Sequence, residues 1–142
     1  MIDPIINNLG KFPINKKEIL SLYNLAKKKC KKIRGGVEIN VVDSKTIKKI
    51  NHEWRGQNKI TDVLSFAWQE DKIMHDDFLG QIFICYPRIK EQAKEFKVSI
   101  HEEFYRMLTH GLLHLVGYDH LIEVEEKKMF MLQEKIIQEF KK

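Results

Sequence analysis

The pattern of hydrophobic and polar positions divides the chain into helices and strands. Apolar side chains recur every three or four residues in five segments, and this period predicts helices that each bury one face. These segments cover residues 16–33, 45–54, 87–96, 100–116 and 123–140. Four shorter apolar segments, rich in β-branched residues, predict strands instead. They cover residues 2–8, 37–42, 61–68 and 79–86.

Helix starts and turns in the sequence agree with this division. Asn15, Ser99 and either Asp43 or Ser44 stand where N-cap side chains are expected, and Pro87 suits the first turn of a helix. The polar stretch 69–78 predicts a hairpin between two strands, whereas helices separate the others. We therefore expect one domain over residues 1–142, of the α+β class. Its core would be a small mixed β-sheet of about four strands flanked by helices.

Half of the six histidines fall within residues 110–120. His110 and His114 are four residues apart, so on a helix their rings lie one turn apart on the same face. Gly117 favours a helix end, after which the chain can turn back and bring His120 beside the pair. Three imidazoles with room for a water are typical of catalytic zinc sites. The alternative is a helix end that carries histidines without a metal.

The histidine spacing is similar to the HExxH helix of zinc proteases, but Gly111 stands where those enzymes carry their glutamate base. On the same face, Glu103 is the only nearby carboxylate that the helical pattern supplies. The sequence thus predicts a zincin-like metal helix while arguing against peptide hydrolysis.

Composition and charge narrow the class of protein. The formal net charge is +5, which favours a polyanionic partner only weakly. Lysines on the outer face of the first helix favour a solvated surface, with a phosphate-tracking surface as the alternative. Two distant cysteines, the absence of a signal-peptide pattern and the absence of an apolar run of about 20 residues predict a cytoplasmic protein without a membrane span.

A second informative stretch runs from Trp54 to Phe66. It is a basic loop that leads into a predicted strand. Arg55 carries a planar guanidinium that can grip a phosphate if it faces the metal, although a loop arginine is more often solvated and idle. Asp62 is expected to anchor the loop rather than to take part in catalysis.

Together these motifs resemble the YbeY family of bacterial endoribonucleases. The similarity rests on Arg55, on the block Thr61–Phe66, on Leu79-Gly80-x-Ile82 and on the segment His110–His120. It covers nearly the whole chain from about residue 37 to residue 140. The chain departs from the family pattern at Gln81, where an aspartate is usual, and at Ala67, where a proline is usual.

The resemblance implies a zinc-dependent endoribonuclease specific for single-stranded RNA. It implies a role in maturation of the 3′ end of small-subunit rRNA and in ribosome quality control, with the ribosome as a partner. It also implies that His110, His114 and His120 bind one Zn²⁺ and that Arg55 is catalytic. The family fold, a mixed sheet flanked by helices, agrees with the pattern of elements.

The hypothesis is that zinc activates water or the scissile phosphate while Arg55 stabilises charge on the phosphoryl oxygens. Asp119 is a candidate to orient a ligand histidine, and Lys59 to contact the RNA backbone. A non-catalytic, zinc-containing ribosome assembly factor is one alternative, and a metallopeptidase is a weaker one. The sequence leaves the oligomeric state open.

Overall fold

The structure is a computed structural model that describes residues 3–67, 78–117 and 123–142. The strands are β1 (Ile5–Asn8), β2 (Gly36–Val42), β3 (Val63–Ala67) and β4 (Phe78–Cys85). The helices are α1 (Lys16–Lys29), α2 (Ser44–Arg55), α3 (Tyr86–Phe96), α4 (Ile100–Leu115) and α5 (Glu123–Phe140). Every predicted helix and strand is present, with bounds that differ by a few residues.

The strands form one four-stranded sheet in the order β1-β2-β4-β3. β1, β2 and β4 are parallel neighbours, whereas β3 runs antiparallel to β4 and lies at the edge. The predicted α+β class with a small mixed sheet is therefore confirmed. Most of the predicted hairpin connection, and Trp68, which was predicted to end the strand, lie outside the described residues.

The two faces of the sheet are covered differently. Helix α4 packs against β3 and β4 and also contacts α1, α3 and α5, so it lies at the centre of the main core. Its inward side chains are fully or almost fully buried, among them Phe104, Leu108 and Leu112. On the opposite face, a smaller apolar cluster around Ile47 joins α2 to the sheet.

Side chains and backbone conformations explain where the helices begin and end. The side chains of Asn15, Asp43 and Ser99 accept backbone N–H groups in the first turns of α1, α2 and α4. Helix α4 ends at Leu115, and Gly117 adopts a positive φ of 98°, as the sequence predicts. A positive φ is accessible to glycine without the Cβ clash that other residues suffer.

The prediction that the first helix continues to Ile33 is wrong, because α1 ends at Lys29. Ile33 is nevertheless buried. A turn closed by the hydrogen bond from the Ile33 N–H to the Cys30 carbonyl (3.0 Å) returns its side chain to the core. Periodicity alone cannot separate this arrangement from one more helical turn.

The two cysteines are free and buried, as expected for packed thiols. Among the residues that the structure describes, no helix is long and apolar enough to cross a membrane.

An ion-pair network joins α4 to α5. Arg106 donates to both carboxylate oxygens of Glu134, at 2.8 and 3.0 Å, and to Glu102 at 2.9 Å. Lys141 lies 2.9 Å from Glu102. Hydrogen bonds from Lys141 and Arg106 lower the pKa of Glu102 below its ordinary value of 4.5. Burial opposes ionisation of Glu134, but bonds from Arg106 and Gln133 still leave its pKa lowered.

Replacing Arg106 with glutamine should therefore destabilise the fold in a pH-dependent way. A lowered folded-state pKa stabilises the protein above the unfolded pKa, and this contribution is lost as the pH falls through the folded value. We expect Arg106→Gln to lower the free energy of unfolding by about 1–3 kcal/mol at pH 7 and by much less near pH 3.

Urea unfolding of both proteins at the two pH values measures this difference. Arg88→Gln is the control, since Arg88 forms ion pairs at 3.9 Å with Glu91 and at 3.6 Å with Glu95, and both glutamates are exposed. It should change stability by less than about 0.5 kcal/mol at either pH. If Arg106→Gln lowers the free energy of unfolding equally at both pH values, the ionised carboxylates of Glu102 and Glu134 are not the cause of the destabilisation.

Candidate metal centre

Helix α4 brings two imidazoles together at its C-terminal end. The Nε2 atoms of His110 and His114 face each other at 3.1 Å, and both side chains are half-buried. Two nitrogens that share a tetrahedral zinc at about 2.0–2.1 Å would be separated by about 3.3 Å. The pair is therefore spaced as two ligands of one ion, which is the arrangement that the i, i+4 spacing predicts.

The far side of His110 is fixed by a residue of α5. Its Nδ1 lies 2.9 Å from Oε1 of Gln133, while Nε2 of Gln133 donates to Glu134 at 3.1 Å. An amide oxygen only accepts hydrogen bonds, so Nδ1 of His110 must be the donor. This tautomer leaves the lone pair on Nε2, which is the atom that faces His114. Such a bond is what holds metal-binding histidines in register.

His120, the third predicted ligand, lies outside the described residues, as does Asp119. Within residues 3–67, 78–117 and 123–142 no group of three potential metal-binding side chains comes together. His110 and His114 would supply two of the four positions of a tetrahedral site, and their spacing and the His110 tautomer fit a metal.

The position of Gly111 explains why no glutamate follows the first histidine. Gly111 is buried where α4 crosses β3 and β4, and a Cβ atom there would lie 3.2 Å from both Ile82 Cγ2 and Ser65 Oγ. The Ser65 hydroxyl donates to the Gly111 carbonyl at 3.2 Å. This side of the helix faces the sheet, so a carboxylate at residue 111 could not reach a metal at the histidines.

Glu103 does not replace that glutamate. It is buried, accepts a hydrogen bond from Gln92 at 3.0 Å and lies 3.7 Å from Arg106. Burial raises its pKa. It precedes His110 by two helical turns, about 10 Å along the axis.

Arg55 lies at the free edge of β3. Its Nη2 donates to the Ser65 carbonyl at 2.6 Å, and its guanidinium carbon is 5.0 Å from the ring centroid of Phe66. The same Ser65 contacts Gly111, the neighbour of His110. Two hydrogen bonds through one serine therefore connect Arg55 to α4. No carboxylate among the described residues forms an ion pair with Arg55.

Comparison with known proteins identifies the family. The family model described as Endoribonuclease YbeY matches residues 6–141. The chain belongs to the YbeY family. It is 48% identical over 102 residues to "Endoribonuclease YbeY" of Ureaplasma urealyticum serovar 10, and 39% identical over 130 residues to that of Staphylococcus carnosus.

The extent of these similarities differs between relatives. The aligned region covers 72% of this chain but 65% of the Ureaplasma urealyticum protein, slightly less than two thirds of its length. For the Staphylococcus carnosus protein the shares are 87% and 84%. The solution structure of TM1509 from Thermotoga maritima matches with a TM-score of 0.68 and 32% identity, over 96% of this chain and 88% of that one.

The two departures from the YbeY pattern lie on the sheet. Gln81, which replaces the expected aspartate, donates to Glu38 at 2.7 Å, so it pairs with a neighbouring strand. Ala67 pairs with Gly80 in the ladder between β3 and β4 and packs against the main core.

Asp62 behaves as the sequence predicts, and two further polar residues are exposed. Asp62 accepts the Val63 N–H at 2.7 Å, which is the loop-anchoring role. His101 is exposed, outside the histidine pair, and lies 2.6 Å from Glu18. Lys59 is exposed.

Hydrophobic periodicity does not single out Gln133 in this YbeY-family chain. Its side chain is only 4% exposed, within an apolar stripe that includes Met129, Ile136 and Ile137. A lone amide at helical spacing inside such a stripe requires a buried partner. That requirement was the available signal, although it does not reveal that the partner is His110.

Introducing the protease glutamate should damage the fold rather than create a peptidase. We expect Gly111→Glu to destabilise the protein by more than about 3 kcal/mol, because the side chain must displace Ile82 or bury a charge. Denaturant unfolding and a peptide-cleavage assay measure both effects. A variant that keeps its stability and cleaves peptides would contradict this packing argument.

Proposed function

We propose that this protein is a metal-dependent endoribonuclease that cuts single-stranded RNA. His110, His114 and His120 would hold one Zn²⁺, and Arg55 would be the catalytic residue. The observation that carries the proposal is the convergence of two Nε2 atoms at 3.1 Å, with the His110 tautomer fixed by Gln133. The family membership agrees with this reading.

Each residue of the proposed site has a role that follows from its chemistry. A divalent metal, when bound, supplies activated water and polarises a phosphoryl oxygen. Gln133 holds His110 in the tautomer whose Nε2 lone pair would be free to bind the ion. Arg55 uses one N–H on the Ser65 carbonyl, and the remaining donors of its guanidinium suit the oxygens of a phosphate. Charge that develops on the phosphoryl group would be stabilised there.

The proposed substrate is rRNA, with maturation of the 3′ end of small-subunit rRNA and ribosome quality control as the cellular roles. The ribosome or its small subunit would then be the partner, the chain would act as a single domain over residues 1–142, and the compartment would be the cytoplasm. The names of the relatives and the net charge of +5 support an RNA substrate.

A cleavage assay with metal analysis tests the function. Purified protein is incubated with a labelled single-stranded RNA and with the matching duplex, before and after treatment with a chelator, and zinc is measured in each sample. We expect cleavage of the single strand alone, lost on chelation and restored by Zn²⁺. Zinc content without cleavage would favour a non-catalytic ribosome assembly factor.

A further inference from the structure

A group of aromatic rings lies on the sheet face opposite to α4. Trp54 at the end of α2 is 71% exposed, and its ring lies 6.4 Å from Phe66 in an edge-to-face arrangement. Phe66 lies 5.9 Å from Phe83, again edge to face. The Arg55 guanidinium covers Phe66 at 5.0 Å. We call Trp54, Arg55, Phe66 and Phe83 the aromatic platform.

The platform holds its exposed ring in a defined place. Single exposed hydrophobic residues are common on protein surfaces and need no explanation. Trp54 differs because its ring packs edge to face on Phe66, which in turn contacts Phe83 and carries the Arg55 guanidinium on its ring. A large, oriented π-face beside a guanidinium is the arrangement that stacks unpaired bases.

The segment that carries Trp54 and Arg55 of the platform is basic. Residues 44–60 contain five basic side chains and one acidic one. All five basic side chains are exposed: Lys45, Lys48, Lys49, Arg55 and Lys59. In the described part of the chain, none of these five forms an ion pair with a carboxylate. Protein–protein interfaces are depleted in lysine, whereas the phosphates of a nucleic acid attract it, so the charge favours RNA over a protein partner.

The platform and the histidines lie on opposite sides of one sheet edge. Alternate residues of β3 point to opposite faces, so Phe66 faces the α2 side while Ser65 contacts α4 at Gly111. Arg55 lies at the edge between them, on the Ser65 carbonyl. A single strand of RNA with one phosphate at Arg55 would therefore extend onto the platform on one side and toward the histidines on the other.

We propose that the aromatic platform is a base-stacking subsite for single-stranded RNA, next to the position of the phosphate that Arg55 contacts. This inference rests on the proposed function for the identity of the RNA as a substrate. The subsite selects unpaired bases because a base within a duplex cannot stack on Trp54, and the neighbouring lysines bind the backbone irrespective of sequence.

Fluorescence of Trp54 reports directly on stacking. The chain has two tryptophans, so Trp68→Phe leaves Trp54 as the only one. Binding is measured in this background with the added change His114→Ala and a chelator, so that RNA is not cut. Oligo(U), oligo(A), an RNA duplex and heparin are the probes. We expect quenching by the two single strands, and no quenching by heparin, which is a polyanion without bases.

Substitutions separate stacking from charge and from simple apolar packing. Trp54→Leu should weaken single-strand binding by roughly 5- to 150-fold, while Trp54→Tyr should restore most of it. Lys48→Ala with Lys49→Ala should reduce the slope of log K against log salt by about 1.4. The matched control is Lys28→Ala with Lys31→Ala, two exposed lysines in and just after α1, which should leave the slope unchanged.

The outcomes for the subsite and for the proposed function are distinguishable. Base-dependent quenching without any RNA cleavage would keep the subsite and reject the endoribonuclease. Cleavage with no effect of Trp54→Leu on KM or on binding would overturn the subsite and keep the enzyme. Equal quenching by heparin and single strands would show a polyanion surface only, and it would also overturn the proposal. If Trp54→Leu leaves the binding of single strands intact but abolishes the binding of a protein, the platform would be reassigned to a protein partner.

Discussion

Replacing His114 with alanine is expected to abolish both zinc binding and RNA cleavage. The Nε2 atoms of His114 and His110 are 3.1 Å apart, so the substitution removes one of the two nitrogens that would share the ion. A three-histidine site that loses one ligand keeps two, too few to hold a catalytic metal at ordinary free zinc concentrations. Zinc content, measured by atomic spectroscopy on the purified variant, should fall from about one per chain to the background level.

The control for this change is His101→Ala. It removes an imidazole from the same helix, but one that is exposed and paired with Glu18 rather than with the histidine pair. Zinc content and cleavage should both survive. Retention of cleavage by His114→Ala at the wild-type rate would contradict the assignment, and it would point to a contaminating nuclease.

A graded effect is expected at Gln133. Gln133→Leu removes the acceptor for Nδ1 of His110 but leaves all three histidines in place. Loss of such a partner typically lowers metal affinity by 10- to 100-fold. Competition with a chelator of known affinity measures the change. Loss of stability without loss of zinc affinity would assign Gln133 to core packing alone.

The sequence predicted best those features that depend on a local repeat. The helix period placed Leu108, Gly111 and Leu115 on the face of α4 that packs on the sheet, and the neighbouring stripe therefore carried His110 and His114. Because i, i+4 geometry is a property of any helix, the contact between the two rings follows from their spacing alone. The mixed sheet followed in the same way from short connections and helical crossovers.

Features that depend on contacts between distant segments were not predictable from those repeats. Gln133 meets His110 only because α5 packs antiparallel on α4, with Arg106 bound to Glu134 beside it. Likewise, Arg55 reaches Ser65 because α2 ends near the sheet edge that β3 forms. The order of the strands in the sheet decides that β3 lies at this edge. Periodicity gives the buried face of an element but not the element that covers it.

Replacing Arg55 with lysine is expected to lower kcat by about 10²- to 10³-fold while zinc content stays unchanged. Lysine keeps the positive charge but loses the planar fork that binds two phosphoryl oxygens at once. It also loses the geometry that holds the side chain between the Ser65 carbonyl and the Phe66 ring. Single-turnover cleavage of one labelled RNA, with zinc analysis of the same sample, separates chemistry from metal binding.

The matched control is Arg88→Lys, the same chemical change on α3, where the side chain lies near Glu91 and Glu95. Its kcat should equal that of the wild type. Thermal unfolding of both variants tests whether Arg55 merely protects the edge of β3, because that role predicts a lower melting temperature with little loss of kcat. An unchanged kcat in Arg55→Lys and in Arg55→Ala would remove Arg55 from the chemistry. The stabilisation of phosphoryl charge would then have to come from another residue or from the metal alone.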